Sequence, residues 1–233
     1  MSERDGRLPA AFDPHCTRCP RLAQSLEEVR RAHPGYHAAP VGPFGDAQAR
    51  LLVVGLAPGL HGANRTGRPF TGDHAGLLLY RTLHRFGFAS APESVGREDG
   101  LRLIGCRITN AVKCWPPQNK PLPAEVARCN DFLCAEVASV AEGSAILALG
   151  AIAHGAVLRA CGAKPATAPF AHAARHELPA GLTLHDSYHC SRYNTQTRRL
   201  TPEMFEGVVG RIAAELGVTD AIRPRADRGN ADP

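Results

Sequence analysis

The apolar residues of this chain fall into short runs separated by turn-forming segments. Leu51-Leu52-Val53-Val54-Gly55 is a continuous apolar run between turn residues, the pattern of a parallel strand buried on both faces. Leu103 to Thr109, Ala145 to Leu149 and Leu182 to His185 read as three further strands. Between them the spacing becomes helical. His74 to Phe86 places Leu77, Leu78, Leu83 and Phe86 near one side, with Gly87 as a stop. Ala124 to Ala141 places Val126, Leu133, Val137 and Val140 on one face, and Ile152 to Cys161 is a further helix. Thr201 to Leu216 closes the series, with Thr201 as cap and Pro202 at the first helical position.

Strands alternating with helices predict a doubly wound α/β fold, in which ligands sit beyond the C-terminal ends of the strands. That rule selects three loops: after Gly55, after Thr109 and after His185. The unusual residues of the sequence fall in these loops. The segment 115–123 holds four prolines and is excluded from regular structure.

The chain has 233 residues, enough for one domain with a substantial core. A single domain is expected over 14–218, with tails at 1–13 and 219–233. At 44% hydrophobic and 21% charged residues, wholesale disorder is excluded. No apolar run approaches the roughly 18 residues of a membrane span. The first ten residues, MSERDGRLPA, lack the apolar stretch of a secretory signal, so a cytoplasmic location is expected. The net charge is +5, and 24 of the 27 basic residues are Arg. GC-rich coding sequence produces the same Arg bias, while an anionic partner such as nucleic acid is the functional reading.

Eight cysteines in a chain of this class point to metal or cluster ligation rather than to disulfides. Cys16 and Cys19 form a Cys-x-x-Cys pair, and Cys114 and Cys129 close a set of four thiolates. Spacing alone puts a tetrahedral zinc slightly ahead of an iron–sulfur cluster. Cys134 lies five residues beyond Cys129 on a helix, about 140° around it, so one site does not use both.

The loop after the first strand, GLAPGLHGANRTGRPFTGD at 55–73, holds five glycines and two prolines. Its backbone can approach a ligand closely, yet its spacing is neither a P-loop nor a dinucleotide fingerprint. GLAPG followed by GRPFTGD closely resembles the first motif of the iron–sulfur uracil-DNA glycosylases, and GANRTGRPFTGD resembles the kind called family 5 or type B. The resemblance continues at ITNAVKCWPPQNKP (108–121) and DSYHCSRYNTQTRRLTPEMF (186–205), and it includes the four cysteines.

This resemblance implies a three-layer α/β/α fold around a four-stranded parallel sheet. It implies an enzyme that flips uracil, and other deaminated bases such as hypoxanthine, out of DNA and hydrolyses the bond to the sugar in base excision repair. Phe70 would stack on the base. Gly55 and Ala57 belong to the base pocket, and Ala57 stands where most of the superfamily carries an acidic or amide residue. Asp73 is the family's substitute carboxylate, although before His74 it also reads as a helix N-cap. His189 would donate to the departing base, and Asn194 would help to position the carboxylate or water. An amide reads the base edge: Asn119 matches the family 5 position and Asn110 that of the related type A enzymes, so both stand as candidates. Tyr193 and Gln196 are candidate wedges, with Arg192, Arg198 and Arg199 as phosphate contacts. For the cysteines the resemblance favours a structural [4Fe-4S] cluster held by Cys16, Cys19, Cys114 and Cys129. The expected partner is damaged DNA, with no membrane, and the expected state is a monomer.

Three rivals remain. A covalent uracil-DNA binder requires a basic insertion with a nucleophilic His after the first motif, and GDHAG at 72–76 carries none. A zinc-stabilised nucleic-acid-binding module would use the cysteines without catalysis. A phosphate-binding enzyme would require a second carboxylate beside Asp73.

Overall fold

A computed structural model of the chain describes residues 11–218. Of the expected tails, 1–10 and 219–233 lie outside the described residues.

One mixed sheet forms the middle layer. Its strands are β1 (Phe44–Gly45), β2 (Leu51–Gly55), β3 (Cys106–Asn110), β4 (Ala145–Leu149), β5 (Arg175–Glu177) and β6 (Thr183–Ser187), in the order β1-β3-β2-β4-β6-β5. The inner four are parallel, as expected, and their register pairs Val53 with both Ile108 and Leu147. The short edge strands β1 and β5 pair antiparallel and widen the sheet beyond the four strands expected.

The helices are α1 (Pro20–Ala32), α2 (Ala63–Thr66), α3 (His74–Arg85), α4 (Pro123–Ala138), α5 (Ala151–Cys161), α6 (Arg192–Gln196) and α7 (Pro202–Glu215). Strand alternation explains the layering. Leu51 and Val53 of β2 enter one core with Leu79 and Leu83 of α3 and Val209 and Ile212 of α7. Leu52 and Val54 enter the opposite core with Leu133 of α4 and Val157 of α5. A third, smaller core joins Leu22 and Leu26 of α1 to Val112, Phe132, Cys114 and Cys129.

Two helix faces differ from expectation. In α3 the buried stripe is Ala75, Leu79, Tyr80 and Leu83, whereas Leu77 is 51% exposed. In α4, Leu133 and Val137 are buried while Val126 is only half-buried, and the helix ends at Ala138, short of the expected Ala141, so that half-buried Val140 lies beyond it. The cap of α7 agrees with expectation: the Thr201 side chain accepts from the Met204 N–H at 3.3 Å. In sequence order the four parallel strands run 2-1-3-4 across the sheet, so the switch point lies between β2 and β4. Among the described residues no helix is long and apolar enough to cross a membrane.

Candidate active site

A cleft of about 1090 Å³ opens at the C-terminal ends of the parallel strands. It draws Ala57, Phe70, Asp73, Asn110, Asn119, His189 and Arg192 to one place. These residues span more than 130 positions of sequence, and the three strand-end loops bring them together.

The floor is set by strand pairing. Gly55 and Asn110 are register partners at the ends of β2 and β3. A Cβ on Gly55 would collide with Asn110 Oδ1 and would come within 2.6 Å of the Phe70 ring. Only glycine leaves this corner open. Asn110 is 2% exposed, and its Oδ1 has no hydrogen-bond partner among the described residues. A buried acceptor without a partner carries a desolvation cost of about 1–3 kcal/mol until something donates to it. Asn119 sits differently: it is exposed at the cleft rim, with φ of 56° in the Pro-rich loop.

Phe70 is held in the left-handed region at φ 53° and is 6% exposed. For a bulky side chain this conformation costs on the order of 1–3 kcal/mol, and such residues concentrate at binding sites. The flanking chain is pinned, because Tyr80 Oη donates to the Pro69 carbonyl at 2.8 Å and Thr71 Oγ1 to the same carbonyl at 3.2 Å. The Phe70 ring lies 5.8 Å from that of His189, at an interplanar angle of 29°.

Asp73 does two things at once. Its Oδ1 accepts from the Gly76 N–H at 3.0 Å and caps α3. Its Oδ2 faces the glycine loop, where a Cβ on Gly59 would stand 3.3 Å away and one on Gly62 would collide with it. Burial raises the carboxyl pKa, and the Gly76 and Ala75 N–H groups and nearby His74 offset part of that rise. His189 is pushed down to about 4 by burial alone, so it is neutral near pH 7.

Asn194 does not line the cleft. Its Nδ2 donates to the His189 carbonyl at 2.9 Å and so braces the loop that carries the histidine. His74 Nε2 and Thr195 Oγ1, 2.9 Å apart, stitch the same loop to the start of α3. Arg192, Tyr193 and Gln196 are exposed along α6, Tyr193 at 70%, and Arg198 follows just after it. Arg199 stacks over the Tyr188 ring at 4.5 Å.

The cleft mouth also includes Leu77, His61, Arg65 and Val95, which sequence reasoning did not assign to a site. Arg65 lay in plain view within the GANRTG string. The spacing places Leu77 on the buried side of its helix, and nothing in it marks a mouth residue.

A second, smaller cavity is lined by Cys16, Cys19, Cys114 and Cys129 together with Leu22, Val112 and Phe132. The Lys113 N–H donates to Cys129 Sγ at 3.3 Å. Burial, with the other three sulfurs adding to it, pushes the Cys114 thiol up to about 12. Burial, with Cys19 and Cys16 adding to it and Lys113 offsetting part of the rise, pushes the Cys129 thiol up to about 11. Ligation by Cys114 and Cys129 would use their thiolate forms, which a bound metal stabilises. Elsewhere, His154, Asp186 and His176 form a buried group behind the His189 loop. His154 Nδ1 meets Asp186 Oδ1 at 2.8 Å, His154 Nε2 meets the Ala168 carbonyl at 2.8 Å, and His176 meets Asp186 Oδ2 at 3.2 Å. These polar atoms are already engaged with one another, and the group braces the end of β6.

The family model of the Uracil DNA glycosylase superfamily matches residues 43–213. The chain is 50% identical over 195 residues to a Type-5 uracil-DNA glycosylase of Thermus thermophilus, covering 82% of this chain and 89% of that one. A Type-5 uracil-DNA glycosylase of Mycobacterium tuberculosis is 46% identical over 201 residues, 83% and 75% of the two chains. One from Pyrobaculum aerophilum is 43% identical over 207 residues, 87% and 90% of the two chains.

Proposed function

The chain belongs to the uracil-DNA glycosylase superfamily, and from that premise we propose a monofunctional enzyme of the type-5 kind whose cleft takes one flipped base. It removes uracil from DNA in DNA repair, as an N-glycosyl hydrolase. Other deaminated bases, hypoxanthine among them, fall within the same proposal. The observation that carries the residue roles is the unpartnered amide oxygen of buried Asn110, beside Phe70 and facing a cleft shared with Asp73 and His189.

The chemistry follows from these positions. Uracil leaves the stack and lies on Phe70, where Asn110 reads its donor–acceptor edge and Asn119 approaches from the rim. As the bond between sugar C1′ and the base nitrogen breaks, its electron pair goes to the base. Neutral His189 donates a hydrogen bond to the developing oxyanion. The ionised Asp73 stabilises the positive charge growing on the sugar and orients the water that adds to C1′. Lys113 is locked in an ion pair with Glu136 at 2.8 Å, and among the described residues no lysine lines the cleft. This supports hydrolysis by water over an imine intermediate. DNA contacts are assigned to Arg192, Tyr193, Gln196 and Arg198.

We infer further that Cys16, Cys19, Cys114 and Cys129 hold a [4Fe-4S] cluster. Four thiols around one cavity and a backbone N–H on one of the sulfurs support that reading. When bound, the cluster ties α1 to the Pro-rich loop and α4, and it takes no part in the bond cleavage. A brown colour with iron and sulfide in the purified protein is the expected result, and colourless protein with one zinc would refute it.

The test of function is base release from an oligonucleotide carrying one uracil, read by alkaline strand cleavage. Strand cleavage at uracil is expected, and none is expected at thymine. Activity against pH provides a second check. Asp73 must be ionised and its pKa is raised, so kcat/KM should fall as acid protonates it, at a pH above the ordinary carboxylate value of about 3.9. His189 is already neutral near pH 7, so no further rise is expected above neutrality from that group. Gly55→Ala should destabilise the fold by about 1–3 kcal/mol in urea unfolding. Because the new methyl intrudes between Asn110 and Phe70, uracil release should fall more than the lost stability accounts for.

A further inference from the structure

Lys113 is 1% exposed, and its ammonium is enclosed by four acceptors. Both oxygens of Glu136 lie at 2.8 Å, Thr109 Oγ1 at 2.5 Å and the Asn110 backbone carbonyl at 3.0 Å. Its own N–H is on Cys129 Sγ, and its next neighbour in the chain is Cys114.

Burying an ion pair is expensive, and an apolar pair of similar volume often serves stability as well or better. A stability role therefore accounts poorly for this lysine. Its position explains more. Asn110 is the last residue of β3, where the chain leaves the sheet. Beyond it, Ala111 donates to the Gly55 carbonyl at 2.9 Å and Val112 to the Leu56 carbonyl at 3.0 Å. The Asn110 carbonyl points away from those bonds and is taken by the ammonium. Lys113 is itself fixed by Glu136 from α4.

We propose that Lys113, held by Glu136, is the positioning residue for Asn110. It fixes the backbone from which the unpartnered amide reaches the base, and it links the cysteine cradle to base recognition. This inference rests on Asn110 reading the base.

The test uses the full-length protein. The paired variant Lys113→Met/Glu136→Leu keeps the volume apolar and leaves no orphaned charge. It is compared with Asn110→Ala and with the triple variant. Readouts are metal content, thermal unfolding, kcat and KM on uracil DNA, and inhibition by free uracil. The expected paired variant folds with its metal content intact. It loses at least tenfold in kcat/KM, binds free uracil at least several-fold more weakly, and adds little to the loss already caused by Asn110→Ala. A purely structural role predicts wild-type uracil affinity in the folded fraction and losses that multiply in the triple variant, and either result would overturn the proposal. If Asn110→Ala itself leaves free-uracil binding unchanged, the assignment of Asn110 fails first and the proposal falls with it. Should the paired variant not fold, Glu136→Gln keeps one bond to the ammonium and is read the same way. A smaller loss of uracil affinity is then expected, and wild-type affinity would refute the positioning role.

Discussion

Asp73→Asn is expected to leave the protein folded and close to wild type in stability while slowing uracil release by roughly 10²–10³-fold. The two halves of this result come from the two oxygens of one side chain. Oδ1 caps α3 through the Gly76 N–H, and asparagine is as good an N-cap as aspartate. Oδ2 faces the glycine loop of the cleft, and asparagine cannot supply the negative charge that the sugar cation requires there. Single-turnover base release with thermal unfolding on the same samples separates the two. The part of the acid limb that Asp73 contributes should be lost in the variant, leaving the fall at about pH 4 where His189 takes up a proton. Asp73→Ala would lose the cap as well and add about 1 kcal/mol of destabilisation. Full activity in Asp73→Asn would move the charge-stabilising role to another residue.

Cys114→Ala is expected to be the most damaging change for the fold. On the proposed cluster it removes one of four ligands, and the partial set is not expected to retain iron and sulfide. The polar ties of α1 and its lead-in to the rest of the chain include Arg18 to Asp131 at 2.8 Å, Arg128 to the Arg18 carbonyl at 3.0 Å, the stacking of Arg18 over Phe132 at 4.3 Å, and Arg21 on both oxygens of buried Glu125 at 2.8 and 2.6 Å. The exposed Arg18–Asp131 pair contributes little, about 0–1 kcal/mol, which leaves Arg21–Glu125 as the main polar anchor. The buried face of α1, Leu22, Leu26 and Val29, should then detach in part. A fall in Tm of about 10 °C or more follows at roughly 2–4 °C per kcal/mol for a chain of this size. Limited proteolysis should cut first between Cys19 and His33. A variant with unchanged Tm and unchanged proteolysis would show that α1 is held by its packing alone.

The centre of the sheet was legible in the sequence because both its faces are covered. Continuous apolar runs such as Leu51–Val54 and Ala145–Leu149 have no other reading at that length. The edge strands were not legible. Phe44–Gly45 and Arg175–Glu177 are two and three residues long, and they exist only because β3 and β6 offer them unpaired edges. Helix α1 was hidden by charge, since its buried stripe is narrow and the rest is Glu, Arg and Gln. Leu77 misled because it is apolar yet faces the cleft mouth. At the site, strand-end loops and motif residues located the cleft. Choosing between Asn110 and Asn119 required burial and hydrogen bonding, which no spacing encodes. Asn194 was found by motif, but its bond to the His189 backbone is a tertiary fact. Lys113 was invisible, because the apolar Ala111, Val112, Cys114 and Trp115 around it do not say where its ammonium goes until that group is seen enclosed.

The cysteine cradle joins residues that leave the ribosome at very different times. Cys16 and Cys19 emerge about 95 residues before Cys114 and about 110 before Cys129. At roughly 5–20 residues per second, the first pair waits on the order of 5–20 s for the second. During that wait the early thiols have no buried site to enter, because the small core that receives them also needs Phe132. The entropy of closing so long a loop rises only logarithmically with its length, so the delay is set by synthesis rather than by the search. The four cysteines are all synthesised before β4, β5 and β6, so the cradle can close while half of the strands are still to come; if it takes the proposed cluster, supply of iron and sulfide must outpace oxidation of the waiting pair.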